Sequence, residues 1–577
     1  MAKTKPMRSG SGIAVPDGMG GALDIGGIGV ATHIHADRRR HRALKGARRR
    51  IRFAACLFVS GFLVLCARLV FVMVLPGEGA QKSAGLVRSE TRVRGDLVDR
   101  NGALLATNLS SLSLFADTKE IWNPGATTAA LVGVLPDLNE MDVLRKLTSG
   151  NRAVQLVRYL TPVQKQMVFD LGLAGLSFPR IERRVYPRGH DAAHVIGYVN
   201  ADNRGVAGVE LSLNDDIVDA GLAGEKVALS LDMRVQHVVQ DELARSMEKF
   251  RAIGGAGLVL DVHTGEVLAL ASLPDFDPNG PQNPDQKTHF NRVTKGVYEM
   301  GSVFKMFTVA MALDAGVVTL NDGYDTSRPL KIGSTLINDF HGKRRWLSIP
   351  EIFAYSSNIG SAKIAHDVGI PQHQAFLRRL GMNQVVPIEL TEVGMPMSPA
   401  RWREIRAATI SYGHGIAVSP LHLARAAAAL VNGGLLIKPT ILRRDPRTPI
   451  QAVRVISPAT SLQMRQLLRL VVTDGTARQA DVQGYSVGGK TGTADKYNGK
   501  GRLNTFVATF PIQDPQYVVL VMLDEPKGTK DTFGFATAGW TTAPLARDVI
   551  ARIGPLLGVE PQVRPPERYQ RASLTLP

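Results

Sequence analysis

The longest apolar stretch lies near the start of the chain, at Phe53 to Leu75, and its only charge is Arg68. About 20 apolar residues cross a bilayer as a helix, so the stretch predicts a membrane span. Beyond it the pattern turns mixed. Arg94 to Thr107 reads R-G-D-L-V-D-R-N-G-A-L-L-A-T, two short apolar runs about a D-R-N-G turn, which predicts a hairpin. Leu138 to Leu173 carries helix-like spacing broken at Gly150 and Pro162, and Arg183 to His190 reads as an extended, proline-punctuated stretch. After Glu225 the pattern becomes regular. It predicts a strand at Val227–Leu231, a helix at Met233–Phe250, and a hairpin of Gly257–Asp261 and Glu266–Ala271 about the His263-Thr264-Gly265 turn. An apolar helix then starts at Gly301, and another spans Leu421–Val431. The chain returns to strands at Tyr485–Ala494, Thr505–Phe510 and Tyr517–Leu523, and closes with a helix at Pro544–Ile553. Strands at both ends with helices between them predict one sheet completed by the two ends and covered by helices, an α+β domain.

This reading divides the 577 residues into a basic tail (1–52), a membrane anchor (53–75), an irregular α+β pedestal (76–226), a larger α+β domain (227–555) and a Pro-rich end (556–577). Charge adds an orientation. Residues 1–52 hold twelve Lys or Arg against three Asp, which is half of the net +18. Basic residues flanking a span mark its cytoplasmic side, so the N-terminus is expected in the cytoplasm and everything after Pro76 is expected to be exported. No recognition fold or basic-aromatic interleaving follows the cluster, which argues against a nucleic-acid partner. A cleaved signal peptide is the alternative; the long leader and the length of the span favour an uncleaved anchor. Arg68 either snorkels to the outer surface or meets a partner helix. Cys56 and Cys66 both fall in the span, so the exported part has no disulfide framework, no Cys-based metal site and no thiol nucleophile. His33 and His35 lie in a Gly-rich tail and read as incidental; no metal or cofactor is expected.

The candidate chemistry sits in three short motifs. Ser302-Val303-Phe304-Lys305 is an S-x-x-K at the start of the apolar helix. Helix positions three apart share a face, so the Lys305 amine is expected to reach the Ser302 hydroxyl. A lysine buried there loses affinity for its proton, which suits a base, and the helix start favours a developing negative charge. Taken alone, S-x-x-K recurs by chance and its lysine often only snorkels. Ser356-Ser357-Asn358 is an S-x-N, supplying a hydroxyl to pass a proton and an amide to hold a substrate, or merely a helix cap. Lys490-Thr491-Gly492-Thr493 lies in a β-rich run beside Gly488 and Gly489, and reads as a strand edge able to pair with an extended peptide, or as a bulged strand. The three occur in one domain, 54 and 134 residues apart, and together outweigh coincidence.

With these motifs in order, the chain resembles the class B penicillin-binding proteins, membrane-anchored peptidoglycan D,D-transpeptidases. The likeness extends through R-V-Y-P-R-G, A-A-H-V-I-G-Y-V, G-V-A-G-V-E-L and L-D-V-H-T-G-E-V-L-A-L-A-S-L-P-D-F-D-P-N. Within that class it looks most like the cell-division (septal, FtsI-type) branch, through A-A-H-V-I-G-Y and Ser411 to Ala424. The resemblance implies a penicillin-binding transpeptidase/β-lactamase-like fold, a central antiparallel sheet with covering helices, carried on a dimerisation-type pedestal. It implies Ser302 as the acylated nucleophile, Lys305 as its base, and Ser356 as the proton relay. Asn358, Lys490, Thr491, Gly492 and Thr493 are implied to bind the donor peptide. The backbone N–H groups of Ser302 and Thr493 are implied to form the oxyanion hole. Implied partners are stem peptides, β-lactams, the inner membrane, an FtsW-type glycosyltransferase and other division proteins. Two positions depart from the family: Met300 replaces a common proline, and His414 a usual aromatic; neither is expected to touch the chemistry. The alternatives are an elongation-type transpeptidase or a division scaffold with weak catalysis. A soluble β-lactamase, a multi-span β-lactam sensor and a carboxypeptidase fit the anchor, the pedestal or the length less well.

Overall fold

A run of alternating or continuous apolar residues becomes a strand only where a partner satisfies its backbone; among the described residues this gives two large sheets, of six and five strands, and three two-stranded ones. In the computed structural model the described residues are 53–54, 56–67, 94–281, 283, 286–496, 499 and 501–562. Residues 56–67 are helical, and among the described residues no helix is long and apolar enough to cross a membrane. The basic tail with His33 and His35, Arg68, the rest of the predicted span and the chain after 562 lie outside the described residues.

The predicted hairpin forms from β1 (Asp96–Val98) and β2 (Leu104–Asp117). Asp99 Oδ1 accepts from Asn101 N and Ala103 N, and Gly102 takes the positive φ (86°) that closes the turn. The 138–173 stretch departs from its helical spacing. Helices α1 (Glu140–Leu147) and α2 (Pro162–Asp170) flank β3 (Ala153–Leu160), which pairs with the second half of β2. A-V-Q-L-V-R-Y-L buries Val154, Leu156 and Leu160, an every-other-residue pattern that the surrounding helical spacing conceals. Strand β4 (Arg180–Val185) pairs with the first half of β2, and β5 (Lys226–Ala228) runs parallel to β1. This sheet is fastened underneath by charge. Glu210 bridges Arg94 (2.6 Å) and Arg184 (2.7 Å), and all three side chains are fully buried.

The larger sheet is antiparallel, with strands from both ends of its domain. Helix α3 (Met233–Phe250) leads to β6 (Gly254–Asp261) and β7 (Val267–Leu273). The helical middle supplies α4 (Lys305–Asp314), α5 (Asn358–Val368), α6 (Pro420–Val431) and α7 (Pro458–Thr473). The chain then returns through β8 (Gly488–Asp495), β9 (Arg502–Phe510) and β10 (Tyr517–Asp524), before α8 (Thr542–Leu556). The order is β8-β9-β10-β6-β7, which leaves β8 at an edge. Buried residues of β6, β7, β9 and β10 join those of α3, α4, α6, α7 and α8 in one core. That core also takes in Leu97, Leu105 and Tyr186, so the hairpin half of the first sheet packs into it; β3, α1 and α2 cluster separately.

Candidate active site

The α-helix begins at Lys305, not at Ser302. Gly301–Phe304 forms a tighter 3₁₀ turn ahead of it. Gly301 has φ +58°, and a Cβ there would lie 2.7 Å from Thr493 O. Gly492 is equally constrained, since its Cβ would meet Met300 O at 2.4 Å. The glycines of the two motifs therefore let β8 lie directly against the turn that carries Ser302.

Lys305 is fully buried in an apolar helix, and its amine is held by three oxygens: the Ser356 carbonyl, Ser356 Oγ (3.0 Å) and Asn358 Oδ1 (2.7 Å). Among the described residues no hydrogen bond joins it to Ser302; the expected pairing is replaced by one to the second motif. Burial, and then the neighbouring Lys490, push its pKa well below the ordinary lysine value. Lys490 is also fully buried; it donates to Ser356 Oγ at 3.1 Å and to Thr491 O at 3.2 Å, and burial lowers it to about 7. One hydroxyl thus sits between two amines that lose their protons readily. Ser356 adopts φ +61°, a left-handed conformation that costs a serine on the order of 1–3 kcal/mol and is found where function demands it.

The S-x-N motif is both a cap and a site. Ser357 caps α5, accepting from Gly360 N at 2.9 Å, while Ser356 and Asn358 turn to Lys305. Asp339, which no sequence pattern marked, ties the motif down: it accepts from Ser357 Oγ (2.7 Å), Asn358 N (2.5 Å) and Ile359 N (3.0 Å). On β8, Thr491 Oγ1 pairs with Thr476 Oγ1 (2.7 Å), and Thr493 Oγ1 accepts from Ala538 N (3.1 Å).

Ser302, Ser356, Asn358, Thr491 and Thr493 line a single cavity of about 690 Å³. Lys305 and Lys490 bond to its lining from below, and Gly492 spaces β8 against the Ser302 turn. All eight predicted residues therefore meet. The cavity also takes in residues that sequence reasoning missed: Asp339, Thr476, Arg502, a stacked pair of rings from Phe535 and Trp540 (5.6 Å), and His414. His414 was expected to stay clear of the chemistry; it lines the same cavity as Ser302. Met300 is buried, and its sulfur accepts from Thr505 Oγ1 at 3.7 Å, a packing role. No group of three or more possible metal ligands occurs among the described residues.

Residues 255–551 match the family model for the penicillin-binding protein transpeptidase domain, and residues 90–216 that for the penicillin-binding protein dimerisation domain. The chain belongs to the penicillin-binding proteins. A relative from Caulobacter vibrioides, named probable peptidoglycan D,D-transpeptidase FtsI, is 41% identical over 87% of this chain and 88% of its own. A relative from Neisseria meningitidis, probable peptidoglycan D,D-transpeptidase PenA, is 34% identical over 89% of this chain and 93% of its own. A crystal structure described as a peptidoglycan glycosyltransferase from Burkholderia ambifaria superposes with a TM-score of 0.52 at 34% identity. That match covers 58% of this chain and 99% of the other.

The buried lysine of this penicillin-binding protein gives a test by pH. Folded, Lys490 releases its proton near pH 7, whereas an unfolded lysine holds it to about 10.4. Between those values the unfolded state binds the extra proton, so stability rises with pH, by about 1.4 kcal/mol per unit for one group. Lys490→Met is expected to lose this contribution. Unfolding measured at pH 7 and at pH 9 reads it: the variant's stability advantage over the parent narrows as pH rises. An advantage independent of pH contradicts a depressed Lys490.

Proposed function

We infer that this penicillin-binding protein is a serine peptidoglycan D,D-transpeptidase of the FtsI type, acting in septum formation. The observation that carries the reading is the Ser356 hydroxyl held between the Lys305 and Lys490 amines, in the cavity that also exposes Ser302. In this scheme Ser302 Oγ attacks the D-Ala-D-Ala amide and its proton passes to Lys305. Ser356 relays that proton from Lys305 to the departing D-alanine, and an amine of a neighbouring stem resolves the ester. The Ser302 and Thr493 N–H groups hold the oxyanion, an arrangement in which removing one donor costs about 3–4 kcal/mol in other enzymes. Asn358 holds the donor backbone beside the β8 edge, with Gly492 allowing close approach. Lys490, Thr491 and Thr493 bind the terminal carboxylate. A β-lactam mimics the donor and remains as an ester on Ser302.

The remaining parts of the proposal concern setting. The apolar run 53–75 anchors the chain in the inner membrane with its N-terminus inside, and the helical stretch 56–67 supports this. The pedestal extends over 76–226 and the transpeptidase over 227–555; an FtsW-type glycosyltransferase and other division proteins are the expected partners. The test uses the full chain in detergent with a pentapeptide donor ending in D-Ala-D-Ala and an amine-bearing stem peptide. Release of D-alanine with formation of the cross-linked product is expected. Release of D-alanine with no cross-linked product would make it a carboxypeptidase.

A further inference from the structure

His414 stands where the family that the sequence resembles usually has an aromatic ring, and its surroundings have the form of an oriented base. Its Nδ1 lies 3.2 Å from Glu299 Oε2, and the other carboxylate oxygen accepts from Gly415 N at 2.8 Å. Those contacts commit Nδ1, and His414 lines the cavity that it shares with Ser302. The loop cannot drift from the nucleophile. Gly301 N donates to Gly413 O (3.2 Å), and Tyr298 and Val418 exchange both backbone hydrogen bonds (2.9 and 3.0 Å). A Cβ on Gly413 would come within 2.0 Å of Gly301 O. The His414 hydrogen bond, with Gly415 N–H and Arg406 adding to it, holds the Glu299 carboxyl below its ordinary range against the effect of burial, so Glu299 stays charged. A carboxylate on one imidazole nitrogen fixes the tautomer and the orientation of the ring.

Glu299 also lines a second cavity, of about 410 Å³, together with Tyr298, Arg406 and Gly415; Asp495 belongs to both cavities. The His–Glu pair therefore stands where the two meet. Among the described residues, Tyr412 has its ring 5.6 Å from that of His414 and Arg406 acts on the Glu299 carboxyl, while Asp339, His341, Lys343, Arg478, Asp495 and Arg502 are the charged or titratable groups that line the cavity with it. The two buried lysine amines are occupied by Ser356 and its neighbours.

We propose that His414, oriented by Glu299, is the proton acceptor for the second half-reaction, with the 410 Å³ cavity receiving the acceptor chain that bears a primary amine. This rests on the transpeptidase reading. The neutral amine attacks the acyl carbon, the new C–N bond forms, and the nitrogen's proton passes to His414 Nε2. The bond from the acyl carbon to Ser302 Oγ breaks, and Oγ takes a proton through Ser356 from Lys490. Exchange with water then restores both groups, and the sum is one ester and one amine giving one amide and one free serine.

The experiment uses the full chain with a thioester analogue of the D-Ala-D-Ala donor and D-alanine as the amine. Thiol release reports acylation, and product analysis separates aminolysis from hydrolysis. In His414→Gln and His414→Ala the aminolysis rate constant is expected to fall about 100-fold, with acylation kept within about twofold. Glu299→Gln is expected to shift the same ratio in the same direction, and added 4-methylimidazole to restore part of it in His414→Ala. Unchanged aminolysis, or acylation and aminolysis falling together, overturns the assignment. A parent chain that acylates but never transfers to D-alanine overturns it too. Absence of acylation in the parent is a different result, since it removes the transpeptidase reading itself.

Discussion

Lys305→Ala is expected to slow acylation of the full chain by a fluorescent penicillin by roughly 10²–10⁴-fold, with the fold intact. The size follows from what the amine does. It sits fully buried on the first turn of α4, donates to Ser356 Oγ at 3.0 Å and Asn358 Oδ1 at 2.7 Å, and is pushed toward its neutral form by burial. Removing it takes away the base and also one of the two amines that place the Ser356 hydroxyl. Lys305→Arg is no rescue, because guanidinium stays charged at any working pH and is too large for the site. Stopped-flow labelling checks the rate, and circular dichroism checks the fold. A variant labelled as fast as the parent would assign the base role to Lys490 instead.

Glu210→Ala carries the largest expected cost to stability, about 3–5 kcal/mol, because it strips from two buried guanidinium groups the one carboxylate that pairs with them among the described residues. Arg94 reaches Glu210 through both Nε (2.9 Å) and Nη2 (2.6 Å), and Arg184 binds the other oxygen at 2.7 Å. Arg94 also donates to Asn214 Oδ1 (2.8 Å) and Arg184 to Gly95 O (2.9 Å), so neither charge can swing out to water without breaking further bonds. The loss reads as a lower midpoint in urea. Replacing all three residues by apolar ones of similar volume is expected to recover much of it, since a buried ion cluster is weak in net stabilisation but costly to break.

The parts of this architecture that were legible in the sequence are those with a local cause. The hairpin about Asp99–Gly102, the 18-residue helix α3 and the sheet closed by the two ends of the domain follow from turn chemistry and periodicity. The three motifs were legible as a set because their order and spacing carry more information than any one of them. What was hidden depends on contacts made far along the chain. Strand β3 alternates over eight residues but sits among helical spacings, and only pairing with β2 decides its state. Asp339 precedes Ser357 by 18 residues, and nothing in the run N-D-F-H marks it as the anchor of that motif. The Lys305 amine was assigned to Ser302 from helical spacing, whereas the tertiary fold gives it Ser356 and Asn358. His414 reads in the sequence only as a departure from the family's usual aromatic, and its place in the Ser302 cavity depends on the Gly413–Gly301 contact.

If Ser302 is the nucleophile, a bound penicillin must be found on it. The full chain is incubated with benzylpenicillin, digested, and its peptides are weighed, beside a Ser302→Ala control. One penicilloyl adduct is expected, on the peptide carrying Ser302, and none in the control. An adduct on Ser356 or any other residue, or labelling that survives the substitution, would contradict it.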